Sequence, residues 1–466
     1  MYITSKKLKS ELIYIIPILV GLIFTLIYVR YNILTFVLLA IILFIALFFL
    51  STKVAFLLLF FVRPIIDFYW NKPLFGLKNP LYIIGGIVVL LMIMFILIRK
   101  INFLKIPYSG LIIFFLLTQL IAFIMTIFTN SQAWFNASLI FMKIISGFLF
   151  FLAMPFIFKT KKDIDSLINI ILLSTIIPLA ISFYVWFRGD PGIFSAYFSG
   201  GEEIGRGVII LSQGLQRLSG LYQGTFYIAF LILLVLFFGT FKLYFLKDNK
   251  WRNMLLIYML ISLIPLYQTY FRAGWGMALV GMGVWFLLKN KKFSFIFLIV
   301  GVILFFLFSE SAQFRFTNEF AFLRGTGEFE NIGSGRGSEW LRYIDIYFHQ
   351  FSPLEKLFGK MGAIGNPENQ FLYLLVTTGI FGLLGYFVLM IGIGWKLFKS
   401  FRRQRDNFNK NLLLLAFVLH VVFILATVGG TPLLWVNAQW VVWSIIGIAL
   451  YHARLSDHNH PISQYE

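Results

Sequence analysis

The chain has 466 residues, 60% of them hydrophobic and 12% charged, with a net charge of +20 and no cysteine. A soluble domain of this length has no core large enough for that much apolar surface, and the lack of cysteine excludes a disulfide framework and thiol chemistry. Apolar runs of about seventeen residues or more recur along most of the chain, each long enough to cross a hydrocarbon core of about 30 Å. They lack the alternation of barrel strands, and backbone polar groups in lipid must be paired within the segment. The expected fold is an all-α polytopic membrane protein forming a single integral membrane domain over residues 1–466.

Roughly 12–14 spans are expected, with candidates at 11–29, 33–50, 53–69, 81–98, 107–129, 136–158, 164–187, 222–246, 253–271, 273–288, 293–309, 370–397, 410–428 and 433–451. Lys6, Lys7 and Lys9 precede the first, which reads as a retained span and not a cleaved signal. The third is short and holds Arg63, Pro64 and Asp67; Arg63 and Asp67 are four apart and can pair on one helix face. The cations cluster in alternate short loops, "STK", "RKINFLK", "FKTKKD", "KLYFLKDNKWR", "KNKK" and "FKSFRRQRDNFNK". The positive-inside rule then puts both termini in the cytoplasm, and this loop pattern argues against a nucleic-acid partner. Trp70, Trp134, Trp186, Trp251 and Trp435 fall near span ends, as interfacial anchors do.

Two outside loops are long, 188–221 and 310–369. The first is glycine-rich. The second contains "SEWLRYIDIYFHQF", where Trp340, Ile344, Tyr347, Phe348 and Phe351 recur at helical spacing. That reads as an amphipathic helix lying on the membrane surface, apolar side down. Long loops in compact proteins are commonly functional.

The informative charges lie at the outer mouth. Arg272, in "LYQTYFRAGWGMALV", has almost no loop around it, and the small residues Ala273, Gly274 and Gly276 would let a ligand approach. Arg217 stands just before a span, and Arg324 and Arg336 lie in the large loop. Each has a plainer reading as a snorkelling anchor or a solvated loop charge. Guanidinium groups also bind phosphate through paired, charge-assisted hydrogen bonds. Glu368, in "NPENQFLYLLVTTG", abuts a long apolar run, and its plain reading is a helix-start carboxylate favoured by the dipole. His349 reads as an interfacial histidine. No His/Asp spacing suggests a metal site, and no "GxxxxGK" suggests nucleotide use.

Between Arg217 and Tyr386 the chain resembles the bacterial O-antigen polymerase and O-antigen ligase family of membrane glycosyltransferases. "RLSGLYQGTFYIAF" looks like that family's Arg-x-x-Gly entry to a span. "YFRAGWGMALVGMGVWFLL" is similar to its Ser-Arg-Gly-Ala-Trp segment, with Phe271 in place of the serine. "SGRGSEWLRYIDIYFHQFSPLEKLFGKMG" and "ENQFLYLLVTTGIFGLLGY" resemble the loop and span that follow. The family's ligases carry a histidine where this chain has Glu368, followed by a match at Asn369.

The resemblance implies a GT-C-like bundle whose large extracytoplasmic loop covers the glycan. It implies that Arg217 and Arg272 hold the diphosphate of an undecaprenyl-diphosphate-linked glycan donor; Arg336, in the glycine-rich stretch that opens the amphipathic helix, is a further candidate for that role. Glu368 would be the catalytic base, and Asn369, Trp340 and His349 would contact glycan or acceptor. The reaction would be inverting, with no metal or cofactor. The expected partners are that donor, a glycan acceptor, membrane lipid, and a chain-length regulator and flippase. The expected place is the bacterial cytoplasmic membrane, with the site facing outward. Because Glu368 replaces the ligase histidine, polymerisation is favoured over ligation. A lipid-linked sugar transporter is the rival, though it would favour charges inside the bundle and paired structural repeats. A scaffold for an envelope assembly is a more distant one.

Overall fold

A computed structural model describes residues 33–66, 81–188, 209–212, 215–218, 225–289 and 321–458. Among the described residues, six helices are long and apolar enough to cross a membrane: Ser109–Thr129, Trp134–Ile157, Lys161–Arg188, Thr225–Leu243, Gln370–Arg403 and Asn407–Ala426. The chain is thus built largely of apolar helices, as a membrane-spanning protein is. The candidate spans at 11–29 and 293–309 lie outside the described residues, as do Asp67 and Trp70. The structure divides into two compact units, Met1–Met94 with Phe156–Phe271, and Phe95–Pro155 with Arg272–Glu466.

The first unit contains α1 (Ile33–Leu50), α2 (Thr52–Ile66), most of α3 (Leu81–Ile98), α6 (Lys161–Ser174), α7 (Ile176–Arg188), α8 (Thr225–Leu243) and α9 (Asn249–Gln268). α8 is apolar all round and is buried along most of its length, as such a helix must be. α6 opens with a capping box in which Thr160 and Asp163 satisfy each other's backbone amides. The Lys53 ammonium reaches Asp163 at 2.5 Å and that of Lys242 reaches Asp165 at 2.5 Å. Three loops assigned to one side by their charge therefore meet at one end of this unit. Of the candidate span 53–69, the described part lies in α2 and carries Pro64 within the helix. Within the glycine-rich loop 188–221, β1 (Ile209–Ser212) and β2 (Leu215–Leu218) form a short antiparallel hairpin in which Ile210 pairs with Arg217.

The second unit contains α4 (Ser109–Thr129), α5 (Trp134–Ile157, to Pro155), α10 (Arg272–Lys289), α11 (Ile332–Asp345), α12 (Pro353–Phe358), α13 (Gln370–Arg403), α14 (Asn407–Ala426) and α15 (Val436–His458). α5 and α15 pack closely: Phe150 stacks on Trp440 at 4.8 Å, and the Trp440 indole donates to Ser146 Oγ at 3.0 Å. Gly147 sits under Gln439 and Trp443, where any side chain would collide. Small residues at such contacts let apolar helices approach where the hydrophobic effect gives no drive between them.

The large loop is seated on this unit through its own glycines. α12 begins with a capping box between Ser352 and Glu355 and ends at Gly359, φ +78°. Gly359 meets the backbone of Thr377 and Thr378. In return α13 is kinked at Gly379, φ +66°, whose Cα faces the backbone of Leu357. Lys360 N–H donates to the Val376 carbonyl at 2.8 Å, filling a bond the kink leaves open. One step on, Met361 N–H donates to Thr126 Oγ1 at 2.8 Å, and Gly362 lies against the backbone of Asn136 and Ala137. Only glycine adopts these positive φ values at little cost and allows backbone to touch backbone.

The amphipathic helix is present, but its apolar side is turned to protein. α11 continues through a π-helical turn, Ile346–Gln350. Its buried stripe is Tyr343, Tyr347 and Phe351, which pack on Val376 of α13 with Ile364 and Leu375 at the margin. Phe348, expected on that face, is exposed. The expectation of a helix lying apolar side down on lipid is therefore corrected: of the expected stripe only Tyr347 and Phe351 are buried, Tyr343 joins them, and protein covers them. Each buried aromatic contributes about 1.5–3 kcal/mol, which suffices to hold the helix against α13. Trp435 is a second correction. It is buried, with its ring against Gly430, and does not anchor an interface.

Candidate active site at the mouth of α13

The polar stretch before α13 is a hydrogen-bonded knot. Asn369, not Glu368, caps the helix: its Oδ1 accepts from Phe371 N–H at 3.0 Å and Leu372 N–H at 3.1 Å. Its Nδ2 donates to the Val428 carbonyl at 3.1 Å. Gln370 N–H donates to the Thr427 carbonyl at 2.9 Å, and Gln370 Oε1 accepts from Leu433 N–H at 3.0 Å. The turn between α14 and α15, residues 427–433, is thereby bound to the start of α13.

Relieved of the capping role, Glu368 points elsewhere. Its carboxylate forms an ion pair with Arg336 Nη2, while Arg336 Nη1 lies 3.5 Å from the Gly429 carbonyl. Arg336 is 34% exposed and Glu368 53%. An ion pair this open is worth little to stability, about 0–1 kcal/mol. Its interest is chemical. A guanidinium has five N–H donors in a rigid fork, so Arg336 can hold Glu368 and Gly429 and still present N–H groups outward. Glu368 sits at φ +50°, in the left-handed region.

α10 reaches the same turn. Gly429 faces Ala273, the second residue of α10, and the Arg336 guanidinium. Arg272 opens that helix, partly buried, in a turn where Tyr270 takes φ +46°. A helix N-terminus carries partial positive charge, and that of α10 lies here beside Arg336. The structure thus brings Arg336, paired with Glu368, and Ala273 at the start of α10 together at Gly429, with Arg272 the residue before Ala273.

The remaining expected residues fall differently. Trp340 is one helical turn beyond Arg336 on α11, and its indole N–H is spent on the Pro367 carbonyl at 3.0 Å. Asn369 is committed to capping and to Val428. His349 pairs with Asp345 at 2.8 Å on the exposed side of the π-turn, thirteen residues past Arg336, or roughly 20 Å along the helix. Arg324 is exposed at the head of the loop. Arg217 lies on β2 in the first unit, and its side chain is outside the described residues. Burial raises the phenols of Tyr343 and Tyr347, which stay neutral and do not compete as bases. Among the described residues no group of three His, Asp or Glu is placed to hold a metal.

Sequence reading missed Asn366, Thr431 and Gly429. Asn366 Nδ2 donates to Thr431 Oγ1 at 3.0 Å, and its Oδ1 accepts from Glu368 N–H at 3.0 Å. The signal was present in "NPEN", an Asn–Pro turn signature, and in the paired glycines of "VGGTP". No protein-family model matches the chain, and no curated protein matches it.

Proposed function

We propose that the chain is a membrane glycosyltransferase that polymerises undecaprenyl-diphosphate-linked oligosaccharide repeats on the outer face of a bacterial cytoplasmic membrane. The observation that carries this reading is the Arg336–Glu368 pair on Gly429, beside the N-terminus of α10 with its Arg272. Such a transfer requires a base and a diphosphate-binding group, and Glu368 and Arg336, which are in contact, would supply them. For Arg217 the support is the resemblance alone.

The donor diphosphate engages Arg336 and Arg272 and competes with Glu368 for the guanidinium. Glu368 then accepts the proton of an acceptor hydroxyl. The hydroxyl oxygen attacks the anomeric carbon from the face opposite the diphosphate. The anomeric C–O bond breaks, and its electron pair leaves with undecaprenyl diphosphate. The arginines and the α10 N-terminus stabilise the charge that builds there. The proton rests on Glu368 until solvent takes it, and inversion at the anomeric carbon follows from the geometry of attack. In the resting state the carboxylate is tied to Arg336, so the reading predicts that donor binds before acceptor.

The experiment is replacement of Arg272 and Arg336 by Ala, and of Arg272 by Lys, scored by surface polymer in cells lacking the wild-type gene. Lys keeps the charge but loses the paired donors. All three variants should be made at normal levels and yield no polymer. Full polymer from both alanine variants would dispose of the diphosphate-binding role. A ligase would share this chemistry and differ in its acceptor alone.

A further inference from the structure

We propose that Asn366 and Trp340 are positioning residues that fix where the Glu368 carboxylate points, an inference that rests on the role of Glu368 given above. Glu368 holds a left-handed backbone, φ +50°. L side chains rarely adopt that conformation, so something must hold it. Asn366 closes an Asx turn on the Glu368 amide at 3.0 Å and anchors that turn to Thr431 Oγ1 at 3.0 Å. Thr431 is buried and belongs to the turn that presents the Gly429 carbonyl to Arg336. Trp340 secures the other side through the Pro367 carbonyl at 3.0 Å. Arg336 and Trp340 are four apart on one face of α11. That helix therefore grips the mouth twice, at the backbone through Trp340 and at the carboxylate through Arg336.

These bonds are not needed to start α13. Asn369 caps it, and Asn369 and Gln370 already bind it to residues 427–433. What the Asn366 and Trp340 bonds add is the direction of one side chain.

The test uses the full chain in phosphatidylglycerol-containing nanodiscs, with inorganic pyrophosphate as the probe. Binding is measured by calorimetry and stability by melting temperature. Polymer is scored in cells. If the carboxylate competes with the anion for Arg336, Glu368→Gln binds pyrophosphate tighter than wild type. Asn366→Ala should do the same, by about threefold or more, with at most a small drop in melting temperature and little polymer. Asn366→Ser keeps an acceptor for the Glu368 amide and should restore wild-type affinity and most of the polymer. Trp340→Phe should follow Asn366→Ala. Wild-type affinity in Asn366→Ala alongside tighter binding in Glu368→Gln would overturn the positioning role and leave the site reading standing. Weaker binding with a lowered melting temperature would also overturn it, as a merely structural effect. No pyrophosphate binding in wild type or Glu368→Gln would remove the site reading and this inference together.

Discussion

Replacing Glu368 by Gln should separate binding from turnover. In the resting protein the carboxylate occupies Arg336 Nη2, and Nη1 leans on Gly429. A phosphoryl oxygen taking the outward N–H groups would lie roughly 6 Å from the carboxylate. Two unit charges at that distance repel by about 0.7–1.4 kcal/mol for an effective dielectric of about 80–40, the range suited to groups 34% and 53% exposed. Glutamine keeps the shape and removes the repulsion. Pyrophosphate affinity should rise by about three- to tenfold at low salt, with the gain shrinking as ionic strength screens it. Polymer formation should fall to background, since an amide cannot accept the acceptor's proton as a base. Titration calorimetry on wild type and variant at two salt concentrations reads the first effect, and polymer gels read the second. Normal polymer from Glu368→Gln, or affinity that falls, would refute the reasoning.

Other outcomes follow from the same contacts. Gly379→Ala places a side chain at φ +66° against the backbone of Leu357 and should cost about 2–4 kcal/mol, seen as a marked drop in melting temperature; an unchanged value would mean the loop is not seated there. Burial raises the Glu355 carboxyl, but the hydrogen bonds from Lys360 and Ser352 outweigh it and hold the group below its ordinary value. Its stabilising contribution is therefore complete above the ordinary carboxylate pKa and is lost as pH falls through the lower, folded value. Wild type should melt higher than Glu355→Gln near neutrality, the gap closing only under strongly acid conditions; a gap independent of pH would contradict this. His349→Ala should leave pyrophosphate affinity unchanged, because the histidine stands far along the helix from Arg336, and any loss of affinity would show that the two act together.

The apolar helices and the loops between them were legible because a hydrocarbon core demands long uninterrupted apolar runs. The buried stripe at α11 was legible in part, since Tyr347 and Phe351 recur at helical spacing, but Tyr343 completes it in place of Ile344 and Phe348. Period alone cannot tell whether lipid or protein covers such a stripe, and here Val376 of α13 does. Trp435 failed for the same reason: a tryptophan near a span end can face an interface or, as here, fill space against a glycine. At the mouth, Glu368 and Asn369 are both good first-turn residues. Asn369 caps, and the Asn366–Pro367 stretch just before it is bonded by Thr431 and Trp340, both remote in the chain. Local spacing carries no trace of that. The glycines at 359, 362 and 379 read as motif positions, and their observed role is close backbone approach.

Polymerisation of a lipid-linked repeat is best tested by the surface-glycan profile of a strain lacking this gene. A polymerase leaves that strain with glycan cut to a single repeat, restored by the wild-type gene and not by Glu368→Gln. Full-length polymer stranded on the lipid carrier would make the chain a ligase, and an unchanged profile would rule out both.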